Sequence, residues 1–524
     1  MTRAYRADSL RETKVIRRLT TLRWWALAAY AIGCDVGSQS LKGVLISPDG
    51  RRCGSAAASY PTSHPHDVWA EQDPAEWTRA LTAVVGRLRE GAGLAPDAIG
   101  MIGLAAQVDG VVAVDARTHP LRPAIIWMDR RAAKQADAFR ARIDVADVRS
   151  ITGLNLDAYH CAAKIDWIRE EEPEVASRAA AYLLPGSYLV AWLTGERVVD
   201  HGNASSTMVY DVTSRDWSPR LLELTGLRAA QLGRVADATE VAGTLTAQAA
   251  ATLGLTDRCR VVVGTGDEHG AALGAGAVRP GIVCDITGTA EPVGAAALEP
   301  TIDPTGLVET HGHADPRAWF IENPGFVSGG SVRWFIDVFG GDEARLDAEA
   351  ATAEAGSGGV TFLPALAGST APRWDEHARG AFTGLSLGHG RAEMSRALLE
   401  GCTFAFRDIV DRLEALGLGT GEIRVVGGGA RSETWLRMKA DATGRVVRVL
   451  QEPEVTAMGA AYLAATALRT FAGLDEAIDA LTVLEAAAFE PDPASRPAYD
   501  DAYGRYRAAF DALAPESPSA EYAS

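Results

Sequence analysis

What is scarce in this sequence narrows the field first. The six cysteines (Cys34, Cys53, Cys161, Cys259, Cys284, Cys402) are scattered, with no C-x-x-C pair. That disfavours a zinc site or a disulfide framework and suits a reducing cytoplasm. No run approaches the roughly 20 apolar residues that a membrane-crossing helix requires. Neither a P-loop (GxxxxGKS/T) nor a strand-linked GxGxxG occurs, which disfavours P-loop and Rossmann chemistry. Lysine supplies only 5 of the 51 basic residues, so a lysine inside a motif draws notice. Positive charge is short overall: 68 acidic residues leave a net charge of −17. Nucleic-acid and membrane-surface proteins need a basic face, so both classes are disfavoured. An anionic ligand is not excluded, because a few local backbone donors can hold a phosphate inside an acidic protein.

What is present is a long, ordinary globular composition. At 524 residues, 47% apolar and 23% charged, the chain is sized for two or three domains with full cores. The odd segment is the N-terminus. Residues 1–28 carry a local charge of +5, leaving about −22 for the remainder. Arg17-Arg18 followed by Trp24-Trp25-Ala26-Leu27 resembles an export signal superficially. The apolar run, however, passes straight into IGCDVGSQS (32–40), where cleavage would damage the first core strand. A dispensable extension over 1–29 is the preferred reading.

From Tyr30 the pattern reads strand, turn, strand: AIGCDV, then GSQS, then LKGVLISPDG, with Gly37 and Ser38 supplying the turn and Asp49-Gly50 ending the hairpin. A helix is predicted over 73–90 after Asp-Pro, and a buried strand over 99–107. PAIIWMD (123–129) is read as continuing the sheet, and Ala-rich helical stretches fill 131–195 and 218–253. A second strand series begins at Arg260, with RVVVGTGD, then GIVCDITGTAEPVGAA (281–296), EIRVVGGG (422–429) and VVRVL (446–450). Helices are predicted over 391–415 and 432–443. The alternation of strands and helices in both halves indicates an α/β architecture with two sheets. CDVGSQSLKGV (34–44) and CDITGTAEPVG (284–294) echo each other. Ancient duplication and chance recurrence of a common hairpin both account for so short a match.

Several segments could carry phosphate chemistry. The two hairpin turns expose backbone N–H groups, with the Ser38, Ser40 and Thr289 hydroxyls in reach, and such nests bind phosphate oxygens. They also read as plain turns. Asp35, at a strand end, is placed to hold Mg²⁺ through water. In GTGDEHGAALGAGAV (264–278), Asp267 stands where a helix begins, as a helix cap or as a general base for a substrate hydroxyl. The Ala and Gly of that helix mean that something approaches its backbone closely. The three glycines of GGGARSETW (427–435) read as a flexible loop or as a seat for a nucleotide. Gln107, Asp109, Gly110, Trp127 and Asp129 lie at strand ends, where polar groups beside an indole suit a polyol pocket. Trp127 reads equally as core, and Asp129–Arg131 as a surface ion pair.

Together these residues resemble the FGGY family of carbohydrate kinases, most closely its xylulokinase branch. The resemblance is collinear over about 31–480. It runs through DVGSQSLK (35–42), LRPAIIWMDRR (121–131), LLPGSYLVAWLTGE (183–196), GTGDEHGAALGAG (264–276), TGTAEPV (287–293), GGGARSETWLRMKADATGRVV (427–447) and EVTAMGAAYLAA (454–465). It implies an actin-like, ribonuclease H-like and hexokinase-type fold: two duplicated domains around a cleft, using ATP and Mg²⁺. It assigns Asp267 as catalytic base and, with Asp35, to the metal. Gly37, Ser38, Gln39, Ser40 and Lys42 fall to the first phosphate loop, and Gly288 and Thr289 to the second. Gly428, Gly429, Ala430 and Ser432 fall to the adenosine site. Gln107, Asp109, Gly110, Trp127, Asp129, Asp267 and Glu268 fall to the sugar pocket.

The chain departs from xylulokinases in three places. Asp109 replaces their usual His in a Met-His-Gly run, and Glu268-His269 replaces Asn and a small residue. Ser369-Thr370-Ala371-Pro372 stands where many members have Glu-Arg before Thr-Pro. Exchanging a donor for an anion in a polar pocket can redirect substrate choice. The expectation is a cytoplasmic kinase of a ketopentose such as xylulose. Ribulose, erythritol or another polyol, and gluconate are the alternatives, and a non-catalytic ATP switch or sugar sensor is the rival of another class. Expected boundaries are a first domain over 30–258, a second over 259–485, and a closing helix with a disordered tail over 486–524. A homodimer fits, with neither nucleic acid nor membrane as partner.

Overall fold

A computed structural model describes residues 29–513. The basic extension and the last residues of the tail therefore lie outside the described residues, apart from Ala29.

The first sheet has seven strands: β1 (Tyr30–Val36), β2 (Ser40–Ile46), β3 (Arg52–Ser59), β4 (Ile99–Ala106), β5 (Val241–Thr244), β6 (Arg260–Val262) and β7 (Thr265–Gly266). Their order is β5-β6-β4-β1-β2-β3, with β7 also beside β4. The hairpin partners β1, β2 and β3 run antiparallel, whereas β1, β6 and β7 are all parallel to β4. Helix α1 (Pro74–Gly91) covers one face. Its Asp73 cap accepts the Ala75 N–H, Pro74 occupies the first turn, and Trp77, Leu81, Val84, Val85 and Leu88 point inward.

Helix α2 (Asp267–Gly274) leads to the second sheet: β8 (Ile282–Thr287), β9 (Ala290–Ala297), β10 (Glu309–Gly312), β11 (Trp319–Val327), β12 (Glu422–Gly427), β13 (Val446–Leu450) and β14 (Leu484–Phe489). The order is β10-β11-β9-β8-β12-β13-β14. Again a hairpin strand, β8, has an antiparallel partner on one side and parallel strands beyond the other. The short sequence echo between the hairpins is thus matched by the topology of both sheets. Helices α3 (Arg391–Ala415) and α4 (Glu433–Thr443) pack on this sheet, and the closing helix is present over Arg496–Leu513.

Helix α5 (Val455–Ala467), from the second half, packs against β1 and β4 of the first sheet and crosses α2. The contact is backbone to backbone. A Cβ on Gly459 would lie 1.9 Å from the Gly270 carbonyl oxygen, and one on Gly33 would lie 2.2 Å from that of Ala457. The small residues of α2 are accordingly explained by a neighbouring helix.

Three expectations need correcting. The strands beginning at Arg260 belong to the first sheet, because β6 and β7 pair with β4. The sheets therefore divide after Gly266 and not at 258/259. Residues 123–129 do not extend that sheet: Ala124–Ile125 pairs with Glu71–Gln72 in a separate two-stranded ribbon. The stretch 131–195 is several short helices, stopped at left-handed Gly153 and Gly195 and restarted at Pro173 and Pro185.

Candidate active site

Three parallel strands of the first sheet end side by side, with Val36 and Gly266 both in register with Ala106. Asp35 is the penultimate residue of β1, Gln107 follows β4, and Asp267 follows β7. The backbone thus collects two carboxylates and an amide at the carboxyl edge of one sheet, where ligands of open α/β sheets bind.

Asp267 is the first residue of α2, after Gly266 in the cap position, and no side-chain cap bond forms there. One carboxylate oxygen accepts the adjacent Glu268 N–H at 3.1 Å, so the capping alternative uses little of the group. Burial, with the charge of Asp109 added, pushes Asp267 up to about 6. Burial followed by the charge of Asp267 pushes Asp35 up to about 8, with Lys42 opposing. The charges of Asp109 and Asp267, and of Asp267 and Asp35, are therefore close enough to interact.

The first turn is held from behind by a residue that the sequence reading passed over. Gln72 accepts from Gln107 Nε2 (2.8 Å) and Trp77 Nε1 (2.9 Å), and donates to Thr62 Oγ1 (2.8 Å) and the Ser38 carbonyl. Trp127 donates to Ser38 Oγ at 2.7 Å, which ties the indole wall to the turn. The Gly37 N–H closes the hairpin onto the Ser40 carbonyl at 3.1 Å, and Gln39 is exposed. Lys42, opposite Asp35 across the hairpin, pairs with Glu454 of the second half at 3.0 Å.

The second turn and the glycine loop also meet. Thr287 and Gly427 are in register on β8 and β12, so Gly288, Thr289, Gly428, Gly429 and Ala430 lie together at that edge. Gly288 and Thr289 are exposed, and their carbonyls accept the N–H groups of Gly329 (3.1 Å) and Gly330 (3.0 Å). Beneath them Lys439, 1% exposed, donates to Thr287 Oγ1 and Glu291 Oε1 (both 2.9 Å) and to Asp285. Asp285 is the counterpart of Asp35 in the echoed motif, and it is neutralised internally.

Asp109 has a left-handed backbone (φ 56°), pinned by Lys164, whose Nζ donates to the Asp109 carbonyl at 2.7 Å and to that of Ile126 at 3.0 Å. Burial pulls that lysine down to about 8, against the charge of Asp109. The Asp109 carboxylate faces His160 Nδ1 at 3.0 Å. Burial alone would lower His160, but the charges and hydrogen bonds of Asp109 and Glu309 together outweigh it and raise the ring to about 10. Nearby, Glu309 accepts from Tyr159 Oη (2.9 Å) and the Asn155 N–H (2.7 Å). Burial pushes Glu268 far up, with Glu322 and Asp267 adding. His160, Lys164, Glu309 and Glu322 were missed because no short-range spacing links them to the 107–110 segment.

Two residues expected to touch ligand are committed elsewhere. Asp129 is 0% exposed, and both its oxygens are used: they accept the N–H groups of Ala70 and Arg131 and the Arg131 guanidinium, Nη2 at 2.7 Å. Arg131 in turn stacks 3.6 Å from the Trp69 ring centroid. Asp129 is therefore neither a sugar ligand nor half of a surface ion pair. Ser432 caps α4 by accepting the Trp435 N–H at 3.0 Å and donates to Asp347, which occupies the hydroxyl intended for adenosine. At Gly110 a Cβ would lie 2.7 Å from Pro185 Cγ, which is why the position is glycine.

Two sheets of matching topology, each with a small-residue turn at the end of its central hairpin strand and with carboxylates beside the first turn, are the architecture of a two-domain actin-like phosphotransferase. Comparison with known proteins specifies it further. Residues 30–274 match the N-terminal domain of the FGGY family of carbohydrate kinases and residues 285–468 its C-terminal domain. The chain belongs to that family and is a sugar kinase whose relatives take ATP as phosphate donor. It is 31% identical to the xylulose kinase of Escherichia coli, over 92% of this chain and 99% of that one. It is 32% identical to a glycerol kinase of Aromatoleum aromaticum, over 86% and 92% respectively. Among solved structures, a "xyloylose kinase" from Brucella ovis superposes with a TM-score of 0.85 at 33% identity, covering 92% of this chain and 99% of that one. Among the described residues, no helix is long and apolar enough to cross a membrane.

Proposed function

We propose that this protein transfers the γ-phosphoryl group of ATP to a primary hydroxyl of a ketopentose such as xylulose, in the cytoplasm. The observation that carries the reading is the position of Asp267. Its carboxylate accepts only the adjacent Glu268 N–H, and it is close enough to Asp109 and Asp35 for their charges to interact. There it accepts the proton of the attacking hydroxyl as the phosphoryl group arrives in line. The Gln107 Oε1 is buried without a partner and accepts from a sugar hydroxyl. Trp127 walls the pocket, and the Asp109–His160 pair and Glu268 read the remaining hydroxyls. The backbone N–H groups of the two turns take up charge developing on the phosphoryl oxygens.

The Asp35–Asp267 pair suits Mg²⁺. Two buried carboxylates, both raised by burial and Asp35 also by the charge of Asp267, are an oxygen donor set that a divalent cation would relieve, with water filling the remaining positions. When bound, the ion neutralises charge on the β and γ oxygens. Residues Gly428–Ala430, where main chain is exposed, seat the nucleotide base or ribose. Trp374 of the second half stacks on Tyr159 of the first (centroids 6.2 Å apart, planes 7° apart), a contact that keeps water from the pocket when the halves are together.

Asp109 favours a second reading, a ribulose or erythritol-type acceptor, because an anion paired with a buried imidazolium replaces the usual His. ADP release should be stimulated by one or a few neutral sugars or polyols from a panel of ketoses, aldoses, alditols and aldonates. Release stimulated by none of them would overturn the kinase reading in favour of a switch or sensor.

A further inference from the structure

Behind the base, α2 faces the edge strand β10 and its neighbour β11 of the second sheet. His269 comes from α2, His311 from β10 and Glu322 from β11. One ligand atom from each lies within 4.8 Å of the others, and all three residues are buried. His311 Nε2 is 3.7 Å from Glu322 Oε1 and 3.8 Å from Glu309 Oε2. The imidazoles of His269 and His311 meet edge to face at 5.6 Å.

His269 is 1% exposed, and neither of its ring nitrogens has a hydrogen-bond partner; Glu322 Oε2 is likewise buried without one. A buried polar atom left unpaired costs about 1–3 kcal/mol. The two His269 nitrogens are what the protein alone leaves unsatisfied, while Glu322 also has the buried Glu268 carboxyl beside it. Cross-strand register explains how the sequence builds the group. Glu309 and Glu322 are directly paired across β10 and β11, and His311 lies two residues along on the same face of β10. The surroundings resemble an outer shell: Ser205 Oγ lies 3.2 Å from His311 Nδ1, and Tyr159 and Asn155 hold Glu309.

We propose that His269, His311 and Glu322 bind a divalent transition-metal ion, zinc by donor type, with Glu309 as candidate fourth ligand. Two imidazoles and a carboxylate suit zinc and are poor company for Mg²⁺, which takes oxygen. Ligand atoms about 2.0–2.2 Å from such an ion would stand closer together than these do, so side-chain rotation must tighten the group on binding. The site contains no cysteine, which is why cysteine spacing could not reveal it. The ion would clamp α2 to the second sheet from behind Asp267 and Glu268, a structural position outside the reacting atoms. The inference does not depend on which sugar is phosphorylated.

The test uses the untagged full chain, stripped with a chelator and dialysed. Zinc chloride titration should give about one tightly bound equivalent by elemental analysis and raise the melting temperature. Cobalt(II) should give the visible absorption of a tetrahedral N/O site. His269→Ala and His311→Ala should each weaken zinc binding by at least about 10-fold, while Cys53→Ser, removing the exposed thiol, should not. Glu322→Gln should do the same as the histidine variants, so one variant failing to fold leaves others to judge by. No stoichiometric zinc and no thermal shift would overturn the proposal, as would zinc binding unchanged in the folded His269 and His311 variants.

Discussion

Replacing Lys439 with Met tests the idea that the two hairpins share a plan but only one keeps its aspartate for chemistry. Lys439 is 1% exposed, and its ammonium is the cation that meets Asp285 and Glu291, both 0% exposed. It also lies 4.9 Å and 5.0 Å from the Phe406 and Trp435 ring centroids. Removing one partner of a buried ion pair costs about 3–5 kcal/mol, because the other charge is left uncompensated. Here two carboxylates lose their cation. Burial pushes Glu291 up to about 7 even with the lysine opposing, so one of them protonates in the variant and keeps the loss from doubling. For a folding unit of 150–250 residues, such a loss lowers the melting temperature by on the order of 10 °C. Calorimetry should show the transition of the second half falling and that of the first nearly unmoved. The triple variant Lys439→Met/Asp285→Asn/Glu291→Gln should recover most of the loss, since no buried charge remains. A single variant within about 1 kcal/mol of wild type in urea unfolding, which is surface-mutation behaviour, would refute the reasoning.

Three further outcomes follow from the geometry. Asp129→Asn should lose about 3 kcal/mol in urea unfolding while the folded enzyme keeps its sugar KM, because the carboxylate is occupied by Arg131 and the Ala70 N–H. Ser432→Ala should cost about 1 kcal/mol as a lost helix cap, with the KM for ATP unchanged. His313 is buried and held neutral, accepting the Asp315 N–H at 2.9 Å and facing the Ala277 carbonyl at 3.2 Å, and burial lowers it to about 4. Folding favours its neutral form, so its contribution is complete above the unfolded value near 6.5. It is lost as pH falls toward 4, on the order of 3 kcal/mol in all. Urea midpoints measured across that window should fall less steeply in His313→Gln.

Local signals were read well where they were complete in one segment. The Asp73-Pro74 start, the two hairpins, the 391–415 helix and the strand at 446–450 all form where periodicity and turn residues place them. Pairing partners are a different kind of information. Nothing within 260–266 says that these strands add to β4, more than 150 residues earlier in the chain, so the division between sheets was misplaced. The site shows the same limit. Asp35, Gln107 and Asp267 stood out as polar residues at strand ends, but whether a polar group is free or used depends on neighbours distant in sequence. Asp129 is occupied partly by the Ala70 N–H, and Ser432 by Asp347. The His269–His311–Glu322 group is assembled from a helix and two strands whose spacing matches no motif.

The central claim is that Asp267 takes the proton of the sugar hydroxyl, and Asp267→Asn tests it most directly. With the sugar identified by the panel, single-turnover phosphorylation should fall by about 10²–10⁴-fold, while the affinity for a non-hydrolysable ATP analogue measured without Mg²⁺ stays at the wild-type value. Near-full turnover by the Asn variant would contradict the account.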